Sequence, residues 1–193
     1  MRAPTLALGC GVAPNIAGGS VLALRSYVER TQGAGSFDRL LDDLDPADAE
    51  PLRAIILPVN WYPVRSFAAA LHATARLSGD PSFYERYGAF AAEFEITSFQ
   101  RVLLRFATPA FFMDRAGRLW SRFHDSGEWQ VEGSGKHLRG TLRGFAFVDP
   151  RYCRVLGAWI KRAGEMTGSR GDVAHPECRA RGSDVEVWDG WWA

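Results

Sequence analysis

The stretch HPECRARGSDVEVW, residues 175–188, decides the fold of the C-terminal part of the chain and holds its densest group of metal-binding residue types. Within it, Asp184, Glu186 and Trp188 alternate with two valines. A period of two places these three side chains on one face of a strand. The preceding His-Pro-Glu-Cys segment is typical of a turn. The stretch therefore predicts a turn followed by a final strand.

The segments upstream of this stretch predict an antiparallel sheet with one helix in its middle. EWQVE (128–132) and KHLRGTLRGF (136–145) alternate about the turn GSG, which is the pattern of a hairpin. Asp149 and Pro150 are suited to begin a helix whose apolar residues from Tyr152 to Met166 share one face. GDVAH (171–175) predicts one more strand, so the order is strand, strand, helix, strand, strand.

The N-terminal part of the chain is predicted to be helical. Ser20 and Asp45 are expected to cap helices, and Gly79 is expected to end one. Phe83, Tyr87, Phe90 and Phe94 make an aromatic stripe at helical spacing, and a further helix follows Thr108-Pro109. The fold class is therefore α+β, with N-terminal helices packed on a small antiparallel sheet. We expect a flexible tail over 1–17 and a single domain over 18–193.

Four residues of the C-terminal part form a candidate metal site. Cys153 lies at the edge of the apolar face of the predicted helix, where the neighbouring Gly157 allows close approach of another backbone. His175 and Cys178, three positions apart in the turn, can chelate one ion, and Glu186 is the candidate fourth ligand. Two thiolates, an imidazole and a carboxylate suit zinc in a closed tetrahedral site.

The same four residues have an interpretation without a metal. Cys153 and Cys178 are then small buried apolar groups, His175 is a surface or capping residue, and Glu186 is solvated. The sequence leaves both interpretations open.

Composition and motifs exclude several classes of function. The 193 residues carry a formal net charge of +1 without long charged blocks, so we expect no nucleic-acid partner. No apolar run reaches membrane-spanning length and no secretory signal is recognisable, so we expect a cytoplasmic protein without membrane contact. GCGVAP and GSGKH do not match phosphate-binding loops, so we expect no nucleotide. Three cysteines argue against a disulfide framework.

CRARGSDVEVW (178–188) resembles the end of the 4-vinyl reductase domain, a small-molecule-binding module with the signature Cys-x-x-x-Gly-x-x-x-Cys followed by an aromatic residue two positions later. The resemblance implies zinc ligands at Cys153, at Cys178 and at His175, where that family has an acidic residue. Gly182 matches the signature glycine. Glu186 stands at the position of the second Cys, which implies a metal bound more weakly than in the relatives or not at all.

About residues 18–190 also resemble a family of paralogous, functionally uncharacterised proteins expanded in myxobacteria. The similar blocks are GGSVLALRSYVE, ILPVNWYP, YERYGAFAAEFE, LWSRFHDSGEWQVE and HPECRARGSD. This resemblance implies kinship with the ligand-binding domains of nitric-oxide signalling and of Golgi trafficking subunits. It also implies a homodimer formed through the N-terminal helices.

The resemblance further implies an apolar pocket for a small hydrophobic molecule. The aromatic residues expected to line it are Phe90, Phe94, Phe106, Phe112, Trp120 and Trp159. Core packing explains the same residues without a ligand. Haem is a natural candidate in this fold group, but the Tyr-x-Ser-x-Arg pattern of the haem nitric-oxide sensors is missing, so we expect no haem. We expect His72 to be buried and hydrogen-bonded, and His124 and His137 to lie on the surface.

These observations favour a non-catalytic, cytosolic small-molecule-binding or regulatory module with a structural zinc site. One alternative is a reductase-type enzyme that acts on a vinyl or tetrapyrrole substrate. The sequence contains no hydride-cofactor signature in support of it. The other alternative is an interaction subunit with a filled core and no ligand.

Overall fold

A short strand precedes the first helix. The computed structural model describes residues 13–96, 116–134 and 136–193. Strand β1 (Asn15–Ala17) pairs antiparallel with β2 (Trp61–Pro63), with Ile16 opposite Tyr62. The flexible tail predicted over 1–17 is therefore too long at its C-terminal end, because residues 15–17 pair with a strand distant in sequence.

Five helices make up the N-terminal part that the structure describes. They are α1 (Gly18–Gln32), α2 (Ser36–Asp42), α3 (Pro46–Arg53), α4 (Val64–Ser78) and α5 (Phe83–Glu95). Their buried apolar faces form much of the core, which includes Leu24, Phe37, Leu71 and Phe83. Burial of these faces, more than local propensity, stabilises the shorter helices.

Local sequence signals set several of the helix boundaries. The Asp45 side chain accepts a hydrogen bond from the amide of Ala47 at 2.8 Å and caps α3. Gly79 ends α4 with φ 61°, in the left-handed region that favours glycine. The predicted cap at Ser20 is wrong, because α1 begins at Gly18 and places Ser20 inside the helix.

The C-terminal part contains the sheet. Helix α6 (Ala116–Phe123) leads into β3 (Glu128–Ser134) and β4 (His137–Arg143), and helix α7 (Pro150–Glu165) leads into β5 (Gly171–Glu177) and β6 (Glu186–Trp192). The strand order is β3-β4-β6-β5, and each neighbouring pair is antiparallel. The predicted α+β class and its strand, strand, helix, strand, strand order are confirmed.

Helices α5 and α7 pack side by side and connect the helical part to the sheet. Glu85 binds Arg154 at 2.7 Å and Glu93 binds Arg162 at 2.6 Å between the two helices. At Gly88 the helices approach so closely that an added Cβ would collide with the carbonyl oxygen of Val155. Among the described residues, no helix is both long and apolar enough to cross a membrane.

Candidate ligand cavity and metal centre

A mostly apolar cavity, partly open to solvent, lies where α1, α5, α6 and α7 meet the sheet. Most of its wall is apolar or aromatic. The described residues that line it are Ile16, Ser20, Phe67, Tyr87, Ala91, Glu95, Leu119, Trp120, Phe123, His124, Trp129, Tyr152, Val155, Leu156, Trp159 and Ile160. A mostly apolar wall with a few polar groups is typical of sites for small organic molecules.

Two of the six aromatic residues that the sequence predicted for a pocket, Trp120 and Trp159, line this cavity. Phe90 instead packs on Tyr27 with ring centroids 5.2 Å apart, and Phe94 stacks on Phe90 with 43% of its surface exposed. Phe106 and Phe112 lie outside the described residues.

The cavity wall contains an acidic group that the sequence analysis missed. The Oε1 of Glu95, at the end of α5, accepts a hydrogen bond from the hydroxyl of Ser20 at 2.6 Å, and its Oε2 accepts one from the indole nitrogen of Trp159 at 2.8 Å. Burial raises the pKa of Glu95 to about 7, against the opposing effect of these two hydrogen bonds. A signal was present, because Tyr87, Ala91 and Glu95 recur every four residues on one helix face.

His124 was predicted to lie at the surface, but it is 5% exposed and lines the cavity. Its ring stacks on Trp120 with centroids 3.7 Å apart, and its Nε2 lies 2.7 Å from the Tyr152 hydroxyl. Its Nδ1 is buried and has no hydrogen-bond partner. Burial lowers the pKa of His124 to about 3, so the ring is neutral. The surface prediction failed because His124 continues the buried face of α6 one turn after Trp120.

His72 lies away from the cavity wall in a separate polar cluster. Its Nε2 is 2.6 Å from an Asp149 oxygen, and its Nδ1 is 3.1 Å from the Tyr84 hydroxyl. Asp149 also accepts a hydrogen bond from the amide of Arg151 at 2.8 Å and caps α7. These contacts give both ring nitrogens of His72 a hydrogen-bond partner and fix the start of α7. Such a network is typical of a structural role.

The four candidate metal ligands meet at one place. One donor atom from each of Cys153, His175, Cys178 and Glu186 lies within 4.8 Å of the others. Cys153 lies on α7, His175 on β5, Cys178 in the following turn, and Glu186 begins β6. The site thus joins a helix and two strands that are remote in sequence.

The surroundings of this group are mostly buried. Cys153, Cys178 and Glu186 are each no more than 5% exposed. The Nε2 of His175 lies 3.0 Å from one oxygen of Glu186, and the amide of Arg179 donates to the other at 3.2 Å. Burial raises the pKa of the Cys153 thiol, and the nearby Glu186 and Cys178 raise it further. Without a cation, the Cys153 thiol therefore favours its neutral form.

Stacked rings connect the cavity to the four-residue group. The series His124, Trp120, Trp129, Trp188 and His175 has centroid separations of 3.7, 6.0, 5.2 and 4.6 Å. Adjacent planes differ by 9, 22, 25 and 10°. We call this series the ring column. It begins at the cavity wall and ends at a candidate metal ligand.

No family model matches the chain, and no curated protein matches it in sequence. Information about its relatives therefore comes from comparison of the fold.

Solved structures of H-NOX domains share the fold. The H-NOX protein of Shewanella oneidensis in the Fe(II)NO state is 13% identical, with a TM-score of 0.71 over 92% of this chain and 99% of that one. The Fe(II) unliganded H-NOX protein of K. algicida is 10% identical, with a TM-score of 0.68 over 92% and 97%. An oxygen-binding H-NOX domain related to soluble guanylate cyclases is 9% identical, with a TM-score of 0.65 over 92% and 95%.

These neighbours correct the prediction of no haem. The neighbours include H-NOX proteins in the Fe(II) and Fe(II)NO ligation states and one in complex with oxygen. A further neighbour was solved in work on the redox potential of its haem. The prediction is wrong because it treated one missing motif as decisive, whereas the fold itself builds a cavity between helices and sheet. The chain has the fold of the H-NOX domains.

Proposed function

We propose that this chain is a non-catalytic regulatory domain that binds a small organic molecule in the cavity between α1, α5, α6, α7 and the sheet. The observation that carries the proposal is the pair of polar groups, Glu95 and His124, set in an otherwise apolar wall. A filled core has no need of a carboxyl group in its wall or of a buried ring nitrogen without a partner, and such polar groups are costly to remove from water. The open cavity favours a binding domain over an interaction subunit with a filled core.

Calorimetric titration with 1-naphthylmethanol tests whether the cavity accepts a ligand. At about 0.5 kcal/mol for each of its non-hydrogen atoms, we expect a dissociation constant on the order of 10–100 μM. Leu156→Trp places an indole in the cavity and should abolish binding. Leu77→Trp, at a position 59% exposed on α4, is the control and should bind normally. Equal binding by both variants would place the ligand elsewhere.

A structural zinc ion held by Cys153, His175, Cys178 and Glu186 is the second part of the proposal. In a tetrahedral zinc site the two sulfur atoms lie about 3.8 Å apart, as follows from Zn–S bonds of about 2.3 Å. The separations within the group, all at most 4.8 Å, are close to this requirement. The ion would balance the charge of the buried thiolates and carboxylate while connecting α7 to β5 and β6.

Metal analysis of the purified protein tests the zinc site. We expect about one zinc ion per chain in the wild type and in Cys10→Ala, which alters the one cysteine outside the group. Cys178→Ala should lose the metal and melt at a lower temperature, because a structural site contributes folding free energy. Negligible zinc in all three proteins, also after incubation with zinc sulfate, would reject the site.

Haem binding is a second candidate function, favoured by the unpaired Nδ1 of His124. Among the described lining residues, histidine and tyrosine are the types that coordinate haem iron. Burial raises the pKa of Tyr87 and Tyr152 well above the usual range and so disfavours phenolate ligands, whereas the neutral His124 keeps a lone pair. Bound haem would supply an iron centre for gaseous ligands. His124 would hold it and the apolar wall would exclude water.

Absorption spectroscopy with added haemin tests this candidate. A sharpened, shifted Soret band is expected for the wild type and for His137→Ala, whose side chain lies outside the cavity. His124→Ala should lose this spectrum. An unchanged spectrum in His124→Ala would show that another residue holds the haem iron.

We also propose a cytoplasmic homodimer, with kinship to the 4-vinyl reductase domain and to the myxobacterial family. Support for the dimer comes from exposed apolar side chains between α3 and β2, where Ile55 is 86% and Val59 is 84% exposed. Patches of this kind are typical of contacts between proteins. Light scattering should give twice the mass of the chain, and the double variant Ile55→Asp, Val59→Asp should give a monomer. A wild-type monomer would reject the dimer.

A further inference from the structure

The carboxyl group of Glu95 has unused capacity to accept hydrogen bonds. Each of its oxygens accepts one bond from the protein, from Ser20 and from Trp159. An ionised carboxylate has about four acceptor positions, so about one on each oxygen is left over. Since Glu95 lines the cavity, a ligand can reach these positions.

Among the described residues, no protein cation compensates the charge of Glu95. The cavity lining contains no Lys or Arg within the part of the chain that the structure describes. The causes that shift the pKa of Glu95 are burial and two neutral hydrogen-bond donors, with no positive group among them. Arg162 of α7 pairs with Glu93 and Glu165, and it is not among the groups that shift the pKa of Glu95. A cationic ligand would therefore supply the missing countercharge.

The rest of the wall suits a positive ligand. Phe67, Tyr87, Trp120, Trp129 and Trp159 all line the cavity. The faces of aromatic rings attract cations, and indole rings do so most strongly. His124 is neutral because burial lowers its pKa to about 3, and so it does not repel a positive charge. An anionic ligand would meet the Glu95 carboxylate without a compensating cation.

We propose that the cavity selects an organic cation, namely an apolar, ring-bearing molecule whose protonated amine donates hydrogen bonds to Glu95. The inference rests on the proposed small-molecule-binding function and specifies the chemical class of the ligand. The rings of the wall bury the apolar body of the ligand, and the carboxylate fixes the amine end. Ser20 and Trp159 hold the carboxylate in position through their hydrogen bonds.

A matched series of three probes tests the selection by calorimetry: 1-naphthylmethylamine, 1-naphthylmethanol and 1-naphthoate. At about pH 8, above the Glu95 pKa of about 7, the carboxyl group is ionised and the amine is protonated. Hydrogen bonds to charged groups contribute about 1.5–3 kcal/mol, so the amine should bind about 10- to 100-fold more tightly than the alcohol. The naphthoate should bind most weakly.

Two variants separate the role of Glu95 from general effects of charge. Glu95→Gln should bring the affinity for the amine to within about threefold of that for the alcohol. Glu93→Gln removes the same charge from α5 at a residue that pairs with Arg162. It should retain the preference for the amine.

The outcomes distinguish this inference from the proposed function. If none of the probes binds the wild type, the proposed function fails in the form given above. If the alcohol binds and the amine binds no more tightly, the cavity is a binding site but not one for cations. If the amine preference survives Glu95→Gln, the carboxylate does not cause it. Displacement of the amine by haemin would show that the two ligands share the cavity.

Discussion

At the scale of single residues, Glu95 and His124 are two ionisable groups on the same cavity wall whose pKa values shift in opposite directions. Burial disfavours the charged form of each, which raises the pKa of Glu95 to about 7 and lowers that of His124 to about 3. Both groups are therefore neutral in the folded protein at mildly acidic pH. The cavity becomes negatively charged as the pH rises past neutrality.

The raised pKa of Glu95 predicts how stability depends on pH. Between its ordinary pKa near 4.5 and the folded value of about 7, the folded protein holds a proton that the unfolded chain has released. The contribution of Glu95 to the free energy of unfolding is thus fully present below about pH 4.5 and is lost as the pH rises through 7. Glu95→Gln lacks this loss, so we expect it to exceed the wild type in unfolding free energy by roughly 1–3 kcal/mol at pH 8 and to match it at pH 4.5.

Thermal unfolding of both proteins from pH 4.5 to 8 measures the difference. Ser20→Ala is the informative control, because the Ser20 hydroxyl lowers the pKa of Glu95 and its removal should move the transition to higher pH. A difference between wild type and Glu95→Gln that is the same at every pH would contradict this account of Glu95.

At the scale of secondary-structure elements, the contact between α5 and α7 carries the geometry of the cavity. Gly88 permits the close approach, since an added Cβ would collide with the Val155 carbonyl and lie 2.9 Å from the Cβ of Ala158. Seven residues further along α5, Glu95 reaches Trp159 of α7. Separation of the two helices would pull these polar partners apart.

Gly88→Ala is expected to lower the unfolding free energy by about 1–3 kcal/mol through this collision, despite the higher helix propensity of alanine. The control is Gly19→Ala in α1, where the added Cβ would meet only the Pro58 carbonyl oxygen at 4.0 Å. That variant should be as stable as the wild type or more stable by up to about 1 kcal/mol. Denaturant titration of both measures the effect. Equal stabilities would show that α5 and α7 can separate without cost.

The elements also show which features a single sequence can predict. Caps at Asp45 and Asp149 and the end of α4 at Gly79 depend on local chemistry, and the structure has all three. Ser20 was assigned a local role as a cap, whereas its hydroxyl binds Glu95, 75 positions away. His124 was predicted to lie at the surface because the sequence did not reveal that it continues the buried face of α6. Such contacts depend on how helices pack, which local patterns do not specify.

The four candidate metal ligands show the difference between local signals and contacts made by packing within one site. His175 and Cys178 were suggested by their spacing in a turn, which is a local signal. Their meeting with Cys153 and Glu186 depends on how α7 lies against β5 and β6. Glu186 alternates with Val187 in the sequence, yet the structure buries both, with exposures of 4% and 2%. A solvated Glu186 is therefore not what the structure has.

At the scale of the whole molecule, the proposed zinc ion would connect the last helix to the last two strands, all within the C-terminal half. Its ligands lie on α7, on β5, in the turn after β5 and at the start of β6. The N-terminal helices α1 to α4 contribute none of these ligands. Loss of the ion should therefore affect one half of the molecule more than the other.

Hydrogen exchange before and after chelation measures this difference. We expect the amides of residues 171–188 to exchange at least about tenfold faster in the metal-free protein, because structural metal binding is coupled to local folding. The amides of α1 and α4 should change little. Cys178→Ala should show the fast pattern without chelator. Uniform acceleration across the chain would indicate that the metal supports the global fold instead.

The ring column has a consequence for optical experiments on this protein. Trp120, Trp129 and Trp188 lie between the cavity and His175, with successive centroids 6.0 and 5.2 Å apart. Indoles at such separations exchange excitation energy, so light absorbed by one is emitted by another. A quencher at either end of the column would dim the same emission band. The fluorescence of these three tryptophans would thus respond both to a ligand in the cavity and to a metal at the candidate site, and titration of each in the presence of the other would assign the signal.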